Sequence, residues 1–216
     1  MWLPLAASKV VKCFREAIEE AAKIISDGGV VVYPTDTVYG LGCDPFNVKA
    51  VERVFLLKKR SDKPMPILVS GLEVAEKLVN LGGVGRMLAS KFWPGALTIV
   101  SPLKKDVSLP EALTCGSKTL GVRVPRHSCA LNLLNSVKGA MVGTSANRSG
   151  DAAPLTIEDA IKSLGFGADL YLDAGKATLG KESTVVEVCG EEVKFLREGA
   201  IRREAVLEAL REFRRL

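Results

Sequence analysis

Apolar residues recur along this 216-residue chain with two different periods, which predict a mixture of helices and strands. Spacing of three or four residues, typical of an amphipathic helix, occurs in residues 12–27 and again in residues 47–60. The same spacing predicts two short helices within 71–92, split at 82–83, and further helices at 128–137, 156–164 and 201–215. Short apolar runs, many of them β-branched, predict strands at 30–33, 67–69, 97–100, 119–125, 140–143 and 170–173.

The last part of the sequence predicts a hairpin, because residues 183–188 and 193–197 are both strand-like and a turn sequence containing Gly190 separates them. Residues 101–118 are loop-like. Strands and helices that alternate early, followed by a late hairpin, predict an α/β protein with one twisted, mixed sheet flanked by helices. No repeat or low-complexity linker divides the sequence, so we predict a single domain over residues 1–216.

The composition narrows the class of protein. Hydrophobic residues make up 47% of the chain and charged residues 25%, as in ordinary globular proteins. No apolar run approaches the roughly 20 residues that span a bilayer, and the first residues lack the basic start of a signal peptide. We therefore expect a cytoplasmic protein with no membrane contact. The net charge of +5 favours anionic partners but does not distinguish a nucleotide from a nucleic acid.

Cysteine and histidine usage excludes several kinds of site. The five cysteines are scattered and form no C-x-x-C pair, so we expect reduced, mostly buried thiols and neither a disulfide nor a zinc site. His127 is the single histidine, which excludes a multi-histidine metal centre. It comes just before an apolar helical pattern, and we expect it at the start of that helix.

Two predicted strands are each followed by a stretch rich in polar residues. Pro34 stops the ladder of strand 30–33, and the polar residues that follow are Thr35, Asp36, Thr37 and Tyr39. The strand at 140–143 runs similarly into hydroxyl and amide residues at 144–150. Polar groups at strand ends of an α/β sheet are typical of a ligand site. The alternative is a turn or a helix cap, which Thr, Asp and Asn also favour.

Cations cluster where the helix at 47–60 ends. Lys58 and Arg60 lie in its last turn, and Lys63 lies beyond it in a loop that contains two prolines. Such a cluster can face phosphate, but it is equally compatible with a solvated helix end that complements the helix dipole.

Arg123 lies between two valines in a predicted strand. A buried guanidinium needs an anionic partner, which is either the carboxylate of a ligand or a carboxylate of the core. We favour the ligand.

Several motifs together resemble the YrdC-like family, the threonylcarbamoyl-AMP synthases. They are Pro34-Thr-Asp-Thr-Val-Tyr-Gly-Leu-Gly42, Lys58-x-Arg60, Phe92-Trp-Pro-Gly95, Gly121-Val-Arg-Val-Pro125, Ser145-Ala-Asn-x-Ser-Gly150, Glu182-Ser-Thr-Val185 and Leu196-Arg-x-Gly199. The resemblance implies a twisted α/β sheet around a positively charged cavity, in the stand-alone form without an additional C-terminal domain. Within this family, L-threonine, bicarbonate and ATP condense to threonylcarbamoyl-AMP and pyrophosphate, with Mg²⁺. The product then passes to a downstream tRNA threonylcarbamoyl transferase, which modifies the adenosine beside the anticodon.

The resemblance also implies residue roles. The threonine side would be Thr37, Arg123, the backbone at Gly143, and Ser183. The ATP side would be Lys58, Arg60, Lys63, Thr119, Ser145, Asn147 and Arg197, with Lys58 and Arg60 as the catalytic charges and no residue as a metal ligand. Leu68 and Ala153 depart from the pattern of longer relatives, and the departures affect one threonine contact and one ATP contact.

A second class of function stays open in the sequence, namely an RNA-binding module without catalysis. The basic cluster and a pI near 9.0 support it. The low aromatic content of 6% and the lack of an RNP-type strand oppose it. We expect any direct contact with tRNA to be weak or indirect.

Overall fold

The computed structural model describes residues 9–59 and 63–215. Within these ranges the helices are α1 (Arg15–Ser26), α2 (Val48–Lys58), α3 (Leu72–Leu78), α4 (Gly82–Phe92), α5 (Glu111–Thr114), α6 (Ser128–Ser136), α7 (Ile157–Leu164) and α8 (Arg203–Phe213). The strands are β1 (Lys9–Lys12), β2 (Val31–Tyr33), β3 (Gly40–Gly42), β4 (Ile67–Val69), β5 (Leu97–Pro102), β6 (Thr119–Arg123), β7 (Ala140–Val142), β8 (Thr144–Ser145), β9 (Leu170–Asp173), β10 (Thr184–Cys189) and β11 (Glu192–Arg197).

These strands form two mixed sheets, where the sequence predicts one. The five-stranded sheet has the order β1-β9-β2-β3-β8, and the six-stranded sheet has the order β11-β10-β5-β6-β4-β7. Both contain parallel and antiparallel pairs: β9 is parallel to β2, for example, and β2 is antiparallel to β3. The α/β class, the mixed pairing and the β10–β11 hairpin are confirmed.

The chain changes sheet at Gly143. It leaves β7 in the six-stranded sheet and one residue later enters β8 at the edge of the five-stranded sheet. The N–H of Gly143 donates to the carbonyl of Pro66 at 2.8 Å, which anchors the crossing beside β4. A Cβ at this position would lie 2.5 Å from Cγ of Leu68, so a side chain has no room. The apolar pattern of 140–143 predicts the strand but not the crossing, because side-chain periodicity does not encode which strands pair.

The central strands β2 and β9 of the five-stranded sheet are buried on both faces. Val31 and Leu172 pack in one hydrophobic core with helices α1 and α6, whereas Val32 and Tyr171 pack in the other, larger core. The alternation follows from the strand period of two. Burial on both faces also explains why 30–33 is an uninterrupted apolar run in the sequence. The larger core includes buried residues of α2, α4, α7, α8 and the six-stranded sheet.

Some element boundaries differ from those predicted. The first helix begins at Arg15 because residues 9–12 pair in parallel with β9 as an additional strand. The break between α3 and α4 falls at 79–81, so Gly82 and Gly83 belong to α4, and residues 101–118 contain the end of β5 and the short helix α5. His127 is the N-cap residue of α6, as predicted. Among the described helices, none is long and apolar enough to cross a membrane.

The expectation of unpaired cysteines is wrong. Cys13 and Cys129 form a disulfide whose Cα atoms lie 6.2 Å apart, although 116 positions separate them in the sequence. The bond joins the residues just before α1 to the first turn of α6, and these two helices pack against each other. Cysteines so far apart give no spacing signal, so only the fold shows the pairing. Cys43 is buried, and Cys189 is exposed outside the disulfide.

We expect Cys13→Ser to lower the free energy of unfolding by about 2–5 kcal/mol, because a crosslink that closes a long loop restricts the unfolded chain. Denaturant unfolding compared with the wild type measures this change. Cys189→Ser is the matched control, since it removes a thiol that is exposed and outside the disulfide. Equal stability of the wild-type protein with and without a reductant would contradict the crosslink.

Candidate functional site

A cavity of about 450 Å³ opens between one face of the six-stranded sheet and the segments that carry Thr37 and Gly143. The lining residues that the family resemblance assigns to the two substrates are Thr37, Lys63, Thr119, Arg123, Gly143, Ser145, Ser183 and Arg197. The other lining residues are Val38, Pro64, Pro66, Leu68, Thr98, Val100, Gly121, Thr144, Glu182, Val185, Glu187 and Leu196. Residues predicted for the two substrates therefore border one common space.

Strand alternation builds the floor of this cavity, because every second side chain faces the same side of a sheet. Val185 of β10 lies opposite Thr98 of β5, and Val100 lies opposite Gly121 of β6. A Cβ at Gly121 would lie 3.2 Å from Cβ of Pro66, so glycine keeps the floor open. Arg123 lies four residues from the first residue of β6, which corresponds to roughly 13 Å along a strand. The floor is thus long enough to have two distinct ends.

Arg123 lies at one end of the floor with its side chain buried. Its Nε donates to the carbonyl of Gly95 at 2.8 Å, Nη1 donates to Oγ1 of Thr37 at 2.9 Å, and Nη2 donates to Oδ1 of Asp36 at 2.5 Å. Burial lowers the pKa of Arg123, and the charge of Asp36 opposes that shift. A core carboxylate is therefore one partner of this guanidinium. The side chain also borders the cavity, so contact with a ligand stays a prediction.

The polar stretch after β2 is both a turn and a cavity wall. Oγ1 of Thr35 accepts hydrogen bonds from the N–H groups of Thr37 at 3.1 Å and Val38 at 3.2 Å, and it donates to the carbonyl of Val38 at 2.6 Å. These local bonds close the turn. Thr37 and Val38 then line the cavity. The two interpretations of this stretch are compatible, because the turn holds the wall in place.

Ser183 and Arg197 form a second polar group on the cavity wall. Oγ of Ser183 lies 2.8 Å from Oγ1 of Thr98 and accepts a bond from Nη2 of Arg197 at 3.1 Å. Nη1 of Arg197 donates to Glu182 at 2.8 Å. The charge of Arg197 contributes to lowering the pKa of Arg123, so the two guanidinium groups lie within electrostatic range of each other. Arg197 thus lies towards the Arg123 end. Thr119 is the first residue of β6, and Lys63 precedes β4, which runs parallel to β6 with Leu68 opposite Arg123, so both approach the other end of the floor.

Lys58 is the last residue of α2, but it is not solvated there, so one of the two interpretations that the sequence leaves open for this cluster does not apply to it. Its side chain is only 2% exposed. Its Nζ donates to the carbonyl of Ser145 at 2.5 Å and to that of Asn147 at 2.7 Å. A buried ammonium is stable only when such acceptors replace water. Lys58 therefore fixes the end of β8 at Ser145 and the loop that follows, and it is absent from the residues that line the cavity.

Asn147, a further residue predicted for ATP, does not line the cavity. The amide of Asn147 donates to the carbonyls of Arg148 at 3.1 Å and Asp151 at 2.7 Å, so it shapes the same loop. Arg60 lies outside the described residues. A role for either one with ATP stays a prediction.

Two carboxylates of the cavity wall, Glu182 and Glu187, received no role from the sequence, although Glu182 begins one of the family motifs. The alternation of β10 contains the signal for one of them, because Glu187 is two residues from Val185 and faces the same side. Among the described residues, no group of three or more His, Cys, Asp or Glu side chains is placed to hold a metal ion. The lining cations in the described chain are Lys63, Arg123 and Arg197, opposed by these two glutamates. A positive charge of the cavity stays a prediction.

We expect Lys58→Met to destabilise the protein, because two buried carbonyls would lose their donor at a cost of about 1–3 kcal/mol each. Thermal and denaturant unfolding measure this loss. Lys59→Met is the matched control: it removes the neighbouring charge, but Lys59 is exposed at the helix end. Equal stability of the two variants would show that Lys58 is dispensable for the fold.

Comparison with known proteins identifies related chains. The Sua5/YciO/YrdC family model, described as telomere recombination, matches residues 23–199. A threonylcarbamoyl-AMP synthase of Pyrococcus abyssi is 35% identical over 93% of this chain and 60% of its own length. A putative threonylcarbamoyl-AMP synthase of Mycobacterium tuberculosis is 38% identical over 89% of this chain and 88% of its own length. The chain thus spans about 60% of the length of the first relative.

A solved structure shares the fold. The crystal structure of P. abyssi Sua5 complexed with L-threonine superimposes with a TM-score of 0.89 at 32% identity, covering 94% of this chain and 61% of that one. Escherichia coli YciO superimposes with a TM-score of 0.79 at 27% identity, covering 89% of this chain and 96% of that one. With the family model matching most of the sequence, the chain belongs to the Sua5/YciO/YrdC family.

Proposed function

We propose that this protein is a threonylcarbamoyl-AMP synthase, which condenses L-threonine, bicarbonate and ATP and releases pyrophosphate. One observation carries the proposal. The residues predicted to bind threonine border the same cavity as four of the residues predicted to bind ATP, namely Lys63, Thr119, Ser145 and Arg197. Relatives named threonylcarbamoyl-AMP synthase, and a related structure complexed with L-threonine, support the same activity.

The Arg123 end of the cavity suits an amino acid. Guanidinium groups bind carboxylates through paired hydrogen bonds. The hydroxyl groups of Thr37 and Ser183 lie on the same cavity wall and can donate to or accept from the polar groups of threonine. Leu68 and Val38 add apolar surface suited to a methyl group. We assign this end to L-threonine, with Gly143 supplying the close backbone wall.

The other end suits a nucleotide phosphate. Lys63 provides a cation there, and Thr119 provides a hydroxyl group. Ser145 borders the cavity from the end of β8, where Lys58 holds its carbonyl. Lys58 would thus act indirectly, by holding the cavity wall in position. Arg60 and Asn147 would contact ATP, as the family resemblance implies. The magnesium that accompanies ATP would neutralise phosphate charge, and we assign it no ligand among the described residues.

The chemistry needs alignment and charge neutralisation more than a strong base. The amine of threonine combines with bicarbonate to give a carbamate and water. A carbamate oxygen then forms a bond to the α-phosphorus of ATP, and the bond to pyrophosphate breaks. Both reactants are anionic, so a fixed cation between them lowers the barrier. Arg197, within electrostatic range of Arg123, is suited to that position. Alignment alone can supply about 7–11 kcal/mol at best.

The product would pass to a downstream tRNA threonylcarbamoyl transferase in the cytoplasm, with tRNA contacting this protein weakly or indirectly. The structure favours this activity over an RNA-binding module, because the hydroxyl and guanidinium groups converge in a cavity of small-molecule size.

ATP–pyrophosphate exchange tests the proposal. We expect exchange only when L-threonine, bicarbonate and magnesium are all present, because the adenylate must form before pyrophosphate can reverse the step. Each component is omitted in turn, and L-alanine replaces L-threonine as the control for amino-acid selectivity. Exchange without threonine, or tight and salt-resistant tRNA capture without exchange, would contradict the assignment and favour the RNA-binding alternative.

A further inference from the structure

Asp36 lies behind the cavity wall, and hydrogen bonds hold both its backbone carbonyl and its side-chain carboxylate. It is 4% exposed and is absent from the residues that line the cavity. Its carbonyl accepts hydrogen bonds from the N–H of Leu179 at 2.9 Å and the hydroxyl of Thr178 at 3.1 Å. Its Oδ1 accepts from the N–H of Arg126 at 3.0 Å and from Nη2 of Arg123 at 2.5 Å. This carboxylate oxygen therefore occupies a fixed place.

We propose that Asp36 is a positioning residue for the amino-acid end of the cavity: its Oδ1 fixes the Arg123 guanidinium so that the remaining N–H groups meet a substrate carboxylate. The role rests on the proposed function. A guanidinium has five N–H donors, one on Nε and two on each Nη. The bonds to Gly95, Thr37 and Asp36 use one donor on each nitrogen. Two donors remain, one on each Nη, and a carboxylate that binds in bidentate fashion accepts two hydrogen bonds.

The position of the oxygen matters more than the charge of Asp36. A buried ion pair is weak evidence for stability, because desolvation offsets its attraction. The pair of Asp36 and Arg123 also cancels in charge, so it adds no net attraction for an anion. Oδ2 of Asp36 is buried and accepts no hydrogen bond from the described residues, so the contact with Arg123 runs through Oδ1 alone. What the pair supplies is a direction for the guanidinium.

Two substitutions separate position from charge. Asp36→Asn keeps an acceptor oxygen at Oδ1 and places the amide nitrogen at Oδ2, where no hydrogen bond is lost within the described chain. Asp36→Glu keeps the charge but displaces the carboxylate by one methylene, and a displacement of about 1 Å can cost on the order of a hundredfold in rate. We expect a near-normal KM for threonine in Asp36→Asn and a KM raised about tenfold or more in Asp36→Glu. The KM for ATP should be unchanged in both.

The pair of Arg53 and Asp169 provides a matched control. It is also a close ion pair, with Nη1 to Oδ2 at 2.6 Å and Nη2 to Oδ1 at 2.9 Å, but neither residue lines the cavity. Asp169→Asn and Asp169→Glu should lower the melting temperature without altering the KM for threonine. Melting temperatures of all four variants show whether a kinetic change follows a general loss of stability.

The KM for threonine and the KM for ATP are obtained from the rate of ATP–pyrophosphate exchange, measured at a temperature below the lowest melting temperature among the variants. Asp36→Ala removes the oxygen without adding volume, and a raised KM for threonine in this variant supports the role even if Asp36→Glu does not fold. A normal KM for threonine in Asp36→Ala, or an equal rise in Asp36→Asn and Asp36→Glu, overturns it while the wild-type exchange stands. No exchange in the wild type overturns the proposed function, and this role with it.

Discussion

The buried guanidinium of Arg123 is the group on which the arrangement of the cavity depends. It lies on a strand of the six-stranded sheet, yet its acceptors come from the turn after β2 and from the loop before β5. A cation removed from water requires such acceptors, and the cost of leaving it unpaired is several kcal/mol. The two sheets and the loop at Gly95 are thereby tied together at the end of the cavity that suits an amino acid.

Lys58 shows the same principle at a second place. Its buried ammonium holds the carbonyl of Ser145, the last residue of β8, and that of Asn147 just after it, and Ser145 borders the cavity. Gly143, one residue before β8, has no room for a side chain because Leu68 lies against it. The cavity wall that contains Gly143 and Ser145 is thus fixed in two ways: the buried ammonium of Lys58 holds it near Ser145, and close packing against Leu68 holds it at Gly143.

Many helices and strands could be predicted from the sequence, because the local pattern of residues determines where these elements form. The strand at 30–33, the helix that begins after residue 47 and the late hairpin follow from periodicity and turn chemistry. Three features could not be predicted, because they depend on partners distant in the sequence: the division into two sheets at Gly143, the disulfide between Cys13 and Cys129, and the burial of Lys58. A lysine at a helix end has the same local pattern whether it meets water or two carbonyls.

The central claim is that the free donors of Arg123 receive the carboxylate of an amino acid. Calorimetric titration of the protein with L-threonine and with L-threoninamide, which lacks that carboxylate, tests it most directly. We expect threonine to bind more tightly by about 1.5–3 kcal/mol, the size of a hydrogen bond to a charged group. Equal affinity for the two compounds would contradict it.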